Sequence, residues 1–302
     1  MPTETTPQIQ KTASPTDNVT EGVMWMVLSG LLFLAMTGTV RHLGSSLPAA
    51  EAGFIRYAIG LALVSPALFG ALRRRMPAAT WGLYGFRGLM HGGAVILWFY
   101  AMARIPVAEV TALGYTSPIF VTIGAALFLG ERIRTRRVMA VVFGLIGVLI
   151  ILRPGFQHIG EGQFAQVLAA PLFAVSFLIA KKLTDTARPA EIVAMLSLGC
   201  TLVLAPMAWS VWRTPTITEV SWLTVTAICA TLGHLCLTRA YRAAPISVTQ
   251  PVSFLQIVWA TALGYFVFGE AIDIWVIAGA GVIIAAATYI ARREMLAAKT
   301  RR

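Results

Sequence analysis

Long apolar runs divide the chain, and each run stops at a short cluster of Pro, Gly or charge. Ten runs can be drawn, at 21–41, 48–72, 80–103, 106–130, 135–152, 161–182, 189–212, 217–241, 246–269 and 272–292. Among the breaks are Ser46-Leu-Pro48, Arg73-Arg-Arg-Met-Pro77, Ile105-Pro106, Arg153-Pro-Gly155, Arg188-Pro189, Thr214-Pro215 and Ala244-Pro245. Proline disfavours the helical region for its predecessor yet is accepted in a first turn, so these breaks read as helix ends and starts. Most runs approach the roughly 20 residues a helix needs to cross about 30 Å of hydrocarbon. Apolar residues occupy every side of the runs and do not alternate, which predicts helices in lipid and not barrel strands.

Composition agrees. Of 302 residues 57% are hydrophobic and only 12% charged, against roughly 25% charged in soluble domains. The expected fold is all-α and integral to a membrane. Residues 1–20, rich in Thr, Pro and Gln, lack a basic segment followed by an apolar one, and are expected to be a disordered cytoplasmic tail and not a cleaved signal. Residues 294–302 are expected to form a basic cytoplasmic tail. Cys200, Cys229 and Cys236 show no paired spacing, so no disulfide, metal or cofactor is expected.

The net charge of +11 does not point to nucleic acid, because the bases lie in loops and sort by side. One side holds Lys11, Arg73–Arg75, Arg132, Arg134, Arg136, Arg137, Lys181, Lys182, Arg188, Arg239, Arg242 and the bases after residue 291. The other holds only Arg41, Arg104, Arg153 and Arg213, while Arg56 and Arg87 fall inside runs. Positive loops stay in the cytoplasm, which predicts cytoplasmic N and C termini in the inner (plasma) membrane.

A repeat runs through this pattern. At an offset of 139, Ala101, Pro106, Thr122, Gly130 and Glu131 meet Ala240, Pro245, Thr261, Gly269 and Glu270. At 140, Val27-Leu28, Leu32-Phe33 and Ala50-Glu51 meet identical residues. Five runs per copy, an odd number, invert the second copy, so the expected units are residues 21–155 and 156–293. Gly130-Glu131 then ends among arginines on the cytoplasmic side and Gly269-Glu270 ends outside. In each, Gly is expected to cap a helix C-terminus and Glu to turn to the interface.

Phe54-Ile-Arg-Tyr57, Trp98-Phe-Tyr-Ala-Met-Ala103, Ile105-Pro-Val-Ala108, Pro118-Ile-Phe120, Leu129-Gly-Glu131 and Gly144-Leu-Ile-Gly-Val148 before Arg153-Pro-Gly155 resemble the drug/metabolite transporter superfamily, EamA type. The resemblance covers roughly 22–292 in two copies and is strongest in the first. It implies a cavity formed by the first four spans of each copy, with the fifth and tenth peripheral, and carriage of amino acids or varied metabolites including S-adenosylmethionine. The second copy departs at Ile257, in place of Pro118, and at Ala243, in place of Arg104.

Ionisable groups within a span usually face a cavity or a partner. Arg56 either grips a carboxylate or phosphate bidentately or pairs with Glu51 or Glu109. Arg87, His91, Ala94 and Trp98 share a helix face that suits a charged metabolite with a flat part. Of these, Arg87 is expected to snorkel to the cytoplasmic interface, leaving His91 and Trp98 at the cavity. Gly88 and Gly92 form a GxxxG suited to close helix contact. Tyr115 and Phe254 are equivalent in the two copies and either stack on ligand or pack. His234, with Thr231 and Thr238 on its face, and Gln250 and Gln256 complete the polar set. Glu109 either carries a proton or sits solvated at a helix start.

These features predict a secondary transporter exporting an amino acid or a related small metabolite. S-adenosylmethionine or another nucleoside-like cargo is the alternative, and a membrane-embedded lipid-modifying enzyme is the alternative of another class. The chain lacks the phosphate-cradling GxxxxGK[ST], so it does not drive transport with ATP itself. The expected partners are a small molecule and the bilayer, with a homodimer left open.

Overall fold

The structure, a computed structural model, describes residues 18–73, 76–117, 120, 135–154, 159–244, 249, 252–253 and 255–299. Among them every regular element is a helix. In chain order these are α1 (Val19–Leu43), α2 (Ala49–Leu63), α3 (Ser65–Arg73), α4 (Ala78–Met102), α5 (Val107–Gly114), α6 (Thr135–Leu152), α7 (Glu161–Leu183), α8 (Pro189–Ser210), α9 (Ile217–Ala243), α10 (Leu255–Phe268) and α11 (Ile274–Lys299).

The starts follow local chemistry. The Asn18 side chain accepts the Glu21 N–H at 3.2 Å and opens α1 two residues before its expected start. Thr216 and Glu219 cap each other at the head of α9, with Thr216 N–H donating to Glu219 at 2.8 Å and Glu219 N–H to the Thr216 hydroxyl at 3.3 Å. Four of the described helices, α1, α7, α8 and α9, are long and apolar enough to cross a membrane. The pair α2–α3 makes a fifth if it counts as one span. The 25-residue α4 falls outside that set, its apolar run interrupted by Arg87 and His91.

Run 48–72 is not one straight helix. It bends by 74° between α2 and α3, where Pro66 lacks the N–H that would continue the hydrogen-bond ladder of α2. At its other end the chain keeps helix longer than expected: α11 continues to Lys299, into the basic tail. Residues 1–17, Pro118 and Gly130-Glu131 lie outside the described residues.

The helix pairings repeat. Contacts of α1 with α9, α4 with α8 and α5 with α7 recur as α7 with α4, α9 with α2 and α10 with α1, while α2 packs on α8, α5 on α10 and α6 on α11. Exchanging α1, α2, α4, α5 and α6 for α7 to α11 therefore returns each of these pairings, whereas among the described residues the contact of α5 with α11 has no counterpart of that strength between α10 and α6. The crossing of α4 on α8 is close: a Cβ on Gly88 would come within 2.8 Å of the Gly199 Cα and one on Gly92 within 3.1 Å of Val203. The GxxxG of α4 thus faces α8, and only glycine permits so short an interaxial distance.

Candidate functional site

The polar residues of the spans converge where α1, α2, α4, α7 and α9 meet. His91 of α4 is 2% exposed and its Nδ1 lies 2.8 Å from the Ser176 hydroxyl of α7. Aromatic rings enclose it edge-on: Phe173 at 5.0 Å, His234 at 5.3 Å, Phe177 at 6.1 Å and Tyr57 at 6.2 Å between centroids. His234 meets Phe33 of α1 at 5.0 Å, and Thr238 donates to its backbone carbonyl at 2.7 Å. The peripheral pair α6 and α11 supplies none of these rings. The His91–Ser176 bond joins one sequence repeat to the other.

Two arginines border this cluster. The Arg56 guanidinium carbon sits 3.9 Å over the Tyr57 ring. Neither expected ion pair forms: Glu51 accepts the Arg213 N–H at 3.2 Å, and Glu109 accepts from Gln163 at 3.2 Å. Arg87 departs further from expectation. It does not snorkel, being 2% exposed, and its Nη1 donates to the Ile192 carbonyl at 2.9 Å while Nε has no partner. The reason is the face it occupies: one turn before His91 and beside Gly88, it points at α8 and not toward a lipid headgroup. Among the described residues no carboxylate pairs with either arginine. An intramembrane cation costs at least about 2.5–3.5 kcal/mol at mid-span, so two unneutralised ones need water or an anion nearby.

The remaining expected residues are spread more widely. Trp98 is half-buried, its ring against Phe99 at 5.4 Å and outside the contacts of His91. Tyr115 is buried and its hydroxyl donates to the Ser253 carbonyl at 2.9 Å, which joins the end of α5 to the second repeat. Gln250 and Phe254 themselves lie outside the described residues. Thr231 is buried on α9, its hydroxyl 3.0 Å from where a Gly60 Cβ would stand. Sequence alone does not point to Ser176, and it gives Tyr57 only within Phe54-Ile-Arg-Tyr57. A lone hydroxyl between Phe173 and Phe177 in an apolar run was the available signal for Ser176.

A second polar group lies at the helix ends. Glu270 does not turn to the interface. Its Oε2 accepts the Val107 N–H at 2.9 Å and its Oε1 pairs with Arg41 at 2.7 Å. Gly269, at φ +65°, makes the left-handed turn that aims it inward. Arg41 also donates to the carbonyls of Met102 at 2.8 Å and Ile105 at 3.2 Å. One carboxylate so ties together α1, the α4–α5 turn and the end of α10.

Known proteins align with this chain over nearly its whole length. Residues 20–153 match the EamA-like transporter family, and residues 161–292 match it a second time. A riboflavin transporter of Rhizobium johnstonii is 32% identical over 281 residues, 91% of this chain and 92% of its own. A pseudopaline exporter of Pseudomonas aeruginosa is 31% identical over 285 residues, 92% of this chain and 98% of its own. An S-adenosylmethionine uptake transporter of Rickettsia bellii is 26% identical over 273 residues, 90% of this chain and 94% of its own. A crystal structure sharing 21% identity superposes with a TM-score of 0.59, covering 91% of this chain and 97% of that one, a likeness of fold. Apolar helices and transporter relatives together make this a multi-pass protein of the inner membrane. The chain belongs to the EamA-like transporter family.

Proposed function

We propose that the chain is a secondary transporter that moves a small metabolite, an amino acid or a related compound, outward across the inner membrane by alternating access. Ten spans form two inverted five-helix repeats, residues 21–155 and 156–293, with both termini cytoplasmic. The recurring helix pairings and the two family matches support a duplicated architecture. Alternating access follows from two similar halves that can trade conformations around one site.

The observation that carries the reading is the polar cluster of His91, Ser176, His234, Arg56 and Arg87, buried inside otherwise apolar helices from both repeats. A bilayer-spanning bundle retains such groups where something polar passes. Arg56, His91 and His234 contact the substrate, with Trp98, Tyr115, Gln250 and Phe254 lining its path and Glu109 as a proton or charge site. S-adenosylmethionine or another nucleoside-like cargo is the second reading. It is favoured by the Rickettsia relative and by the rings of Phe173 and Phe177, which stack 12° from parallel beside His91. Relatives named as transporters support carriage over lipid chemistry.

Reconstituted liposomes challenged with labelled amino acids, S-adenosylmethionine, riboflavin and nucleosides test the assignment. Saturable flux of at least one compound is expected. Turnover of a lipid without flux of any compound refutes it.

A further inference from the structure

Carriage of an unspecified metabolite leaves two buried guanidiniums unexplained. At 1.5 Å per residue, Arg56 lies about 10 Å along α2 from its start and Arg87 about 13 Å along α4. Arg56 lies over the ring of Tyr57, which faces His91 at 6.2 Å between centroids, and His91 faces His234 at 5.3 Å. Arg87 stands one turn before His91 on α4, and the Cys200 thiol is 3.8 Å from the carbonyl of its neighbour Gly88. The two cations therefore border the imidazole pair.

The fold does not call for them. At the offset of 140 that pairs Ala50-Glu51 with Ala190-Glu191, Arg56 stands where the second repeat has Leu196, and at 139 Arg87 stands where it has Thr226, both uncharged and both buried. Nor are they saturated as structural arginines are. Arg41 spends its donors on two backbone carbonyls and a carboxylate. Arg87 engages one carbonyl and leaves Nε, itself buried, without an acceptor. A guanidinium offers five N–H donors in a fork that matches the two oxygens of a carboxylate or phosphate.

We propose that Arg56 and Arg87 together hold the oxyanion, a carboxylate or a phosphate, of the transported metabolite. The rings of His91, Phe173 and Phe177 take its flat or apolar part. The site rests on the transport reading above and narrows it to metabolites that carry such a group.

Liposomes containing the wild-type protein decide the matter first. Amino acids are compared with their amides, and flavin mononucleotide with riboflavin, as competitors of whichever labelled compound moves. The oxyanion-bearing member of a pair is expected to compete at least tenfold better, and the two pairs separate a carboxylate site from a phosphate site. Arg87→Gln and Arg56→Gln, at matched membrane abundance, are expected to erase that preference while Arg87→Lys keeps part of it. Equal competition by neutral and oxyanion-bearing partners, with transport intact, overturns the site and leaves the transporter standing. If nothing moves, neutral or charged, the transport reading fails and this site with it. The wild-type comparison stands even where a variant does not fold.

Discussion

Arginine serves two purposes in this molecule, and the rim and the centre of the bundle show the difference. The rim carries Arg41, Arg104, Arg153 and Arg213, the four bases on the sparsely charged side. Arg41 meets Glu270, Arg153 meets Asp273, and Arg213 meets Glu219 and the Ser46 carbonyl. Arg104 lies 3.4 Å over Tyr100, whose hydroxyl donates to Glu161. In the centre, Arg56 and Arg87 are more deeply buried yet meet no acid among the described residues. Burial alone does not distinguish a structural base from a working one. The acids do: at the rim they pair with the bases, and among the described residues none reaches the two arginines of the centre.

The largest expected effect is therefore at the rim. Glu270→Ala strands Arg41 and removes the acceptor of the Val107 N–H. Losing a charged hydrogen-bond partner in a partly buried pair is expected to destabilise by about 2–3 kcal/mol. Glu270→Gln, which keeps an acceptor, is expected to lose less. Thermal unfolding of the purified protein measures both, and an unchanged midpoint in the Ala variant sinks the picture of a tied rim. The centre should respond in the opposite way. Arg56→Gln is expected to weaken binding of an oxyanion-bearing substrate by at least tenfold, equivalent to about 1.4 kcal/mol, with the midpoint held or raised because an unpaired buried charge is gone. A lowered midpoint with unaltered affinity would make Arg56 structural and erase the contrast.

Between these extremes lies packing. A methyl on Gly88 collides with the backbone of Gly199, whereas one on Gly85 of the same helix meets nothing within 4 Å. Gly88→Ala is expected to cost about 1–3 kcal/mol by overpacking, and Gly85→Ala to be neutral or slightly stabilising. Equal midpoints for the two variants contradict the close α4–α8 crossing.

Much of the scaffold was legible in sequence because lipid imposes it. An unbroken apolar run bounded by Pro has few alternatives to a helix, and α1, α7, α8 and α9 lie close to the predicted runs. The bend at Val64 was legible only in Ser65-Pro66, which an otherwise apolar run conceals. The site was legible in its residue types and not in its partners. His91 stood out as an ionisable group within a span, but Ser176 and Phe173 reach it from the other repeat, a distance no local spacing reports. Arg87 points inward against expectation because depth along a helix does not reveal which neighbour its face meets. Glu270 does so for the same reason: the left-handed turn at Gly269 decides its direction.

The smallest effect tests the link between the halves. Ser176→Ala removes the hydroxyl beside His91 Nδ1 and nothing else. A single buried hydrogen bond contributes about 1 kcal/mol, with a further penalty because the imidazole nitrogen is left unsatisfied. A modest fall in the midpoint is thus expected, far short of that for Glu270→Ala. Transport should change more than stability does, because Ser176 sets the orientation of a ring that faces His234 at 5.3 Å and borders the arginines. Ser176→Thr, which restores a hydroxyl, should recover flux wherever its methyl fits. If both variants transport like the wild type while the Ala midpoint falls, the bond is only a strut between helices, and the working part of the centre shrinks to the two arginines.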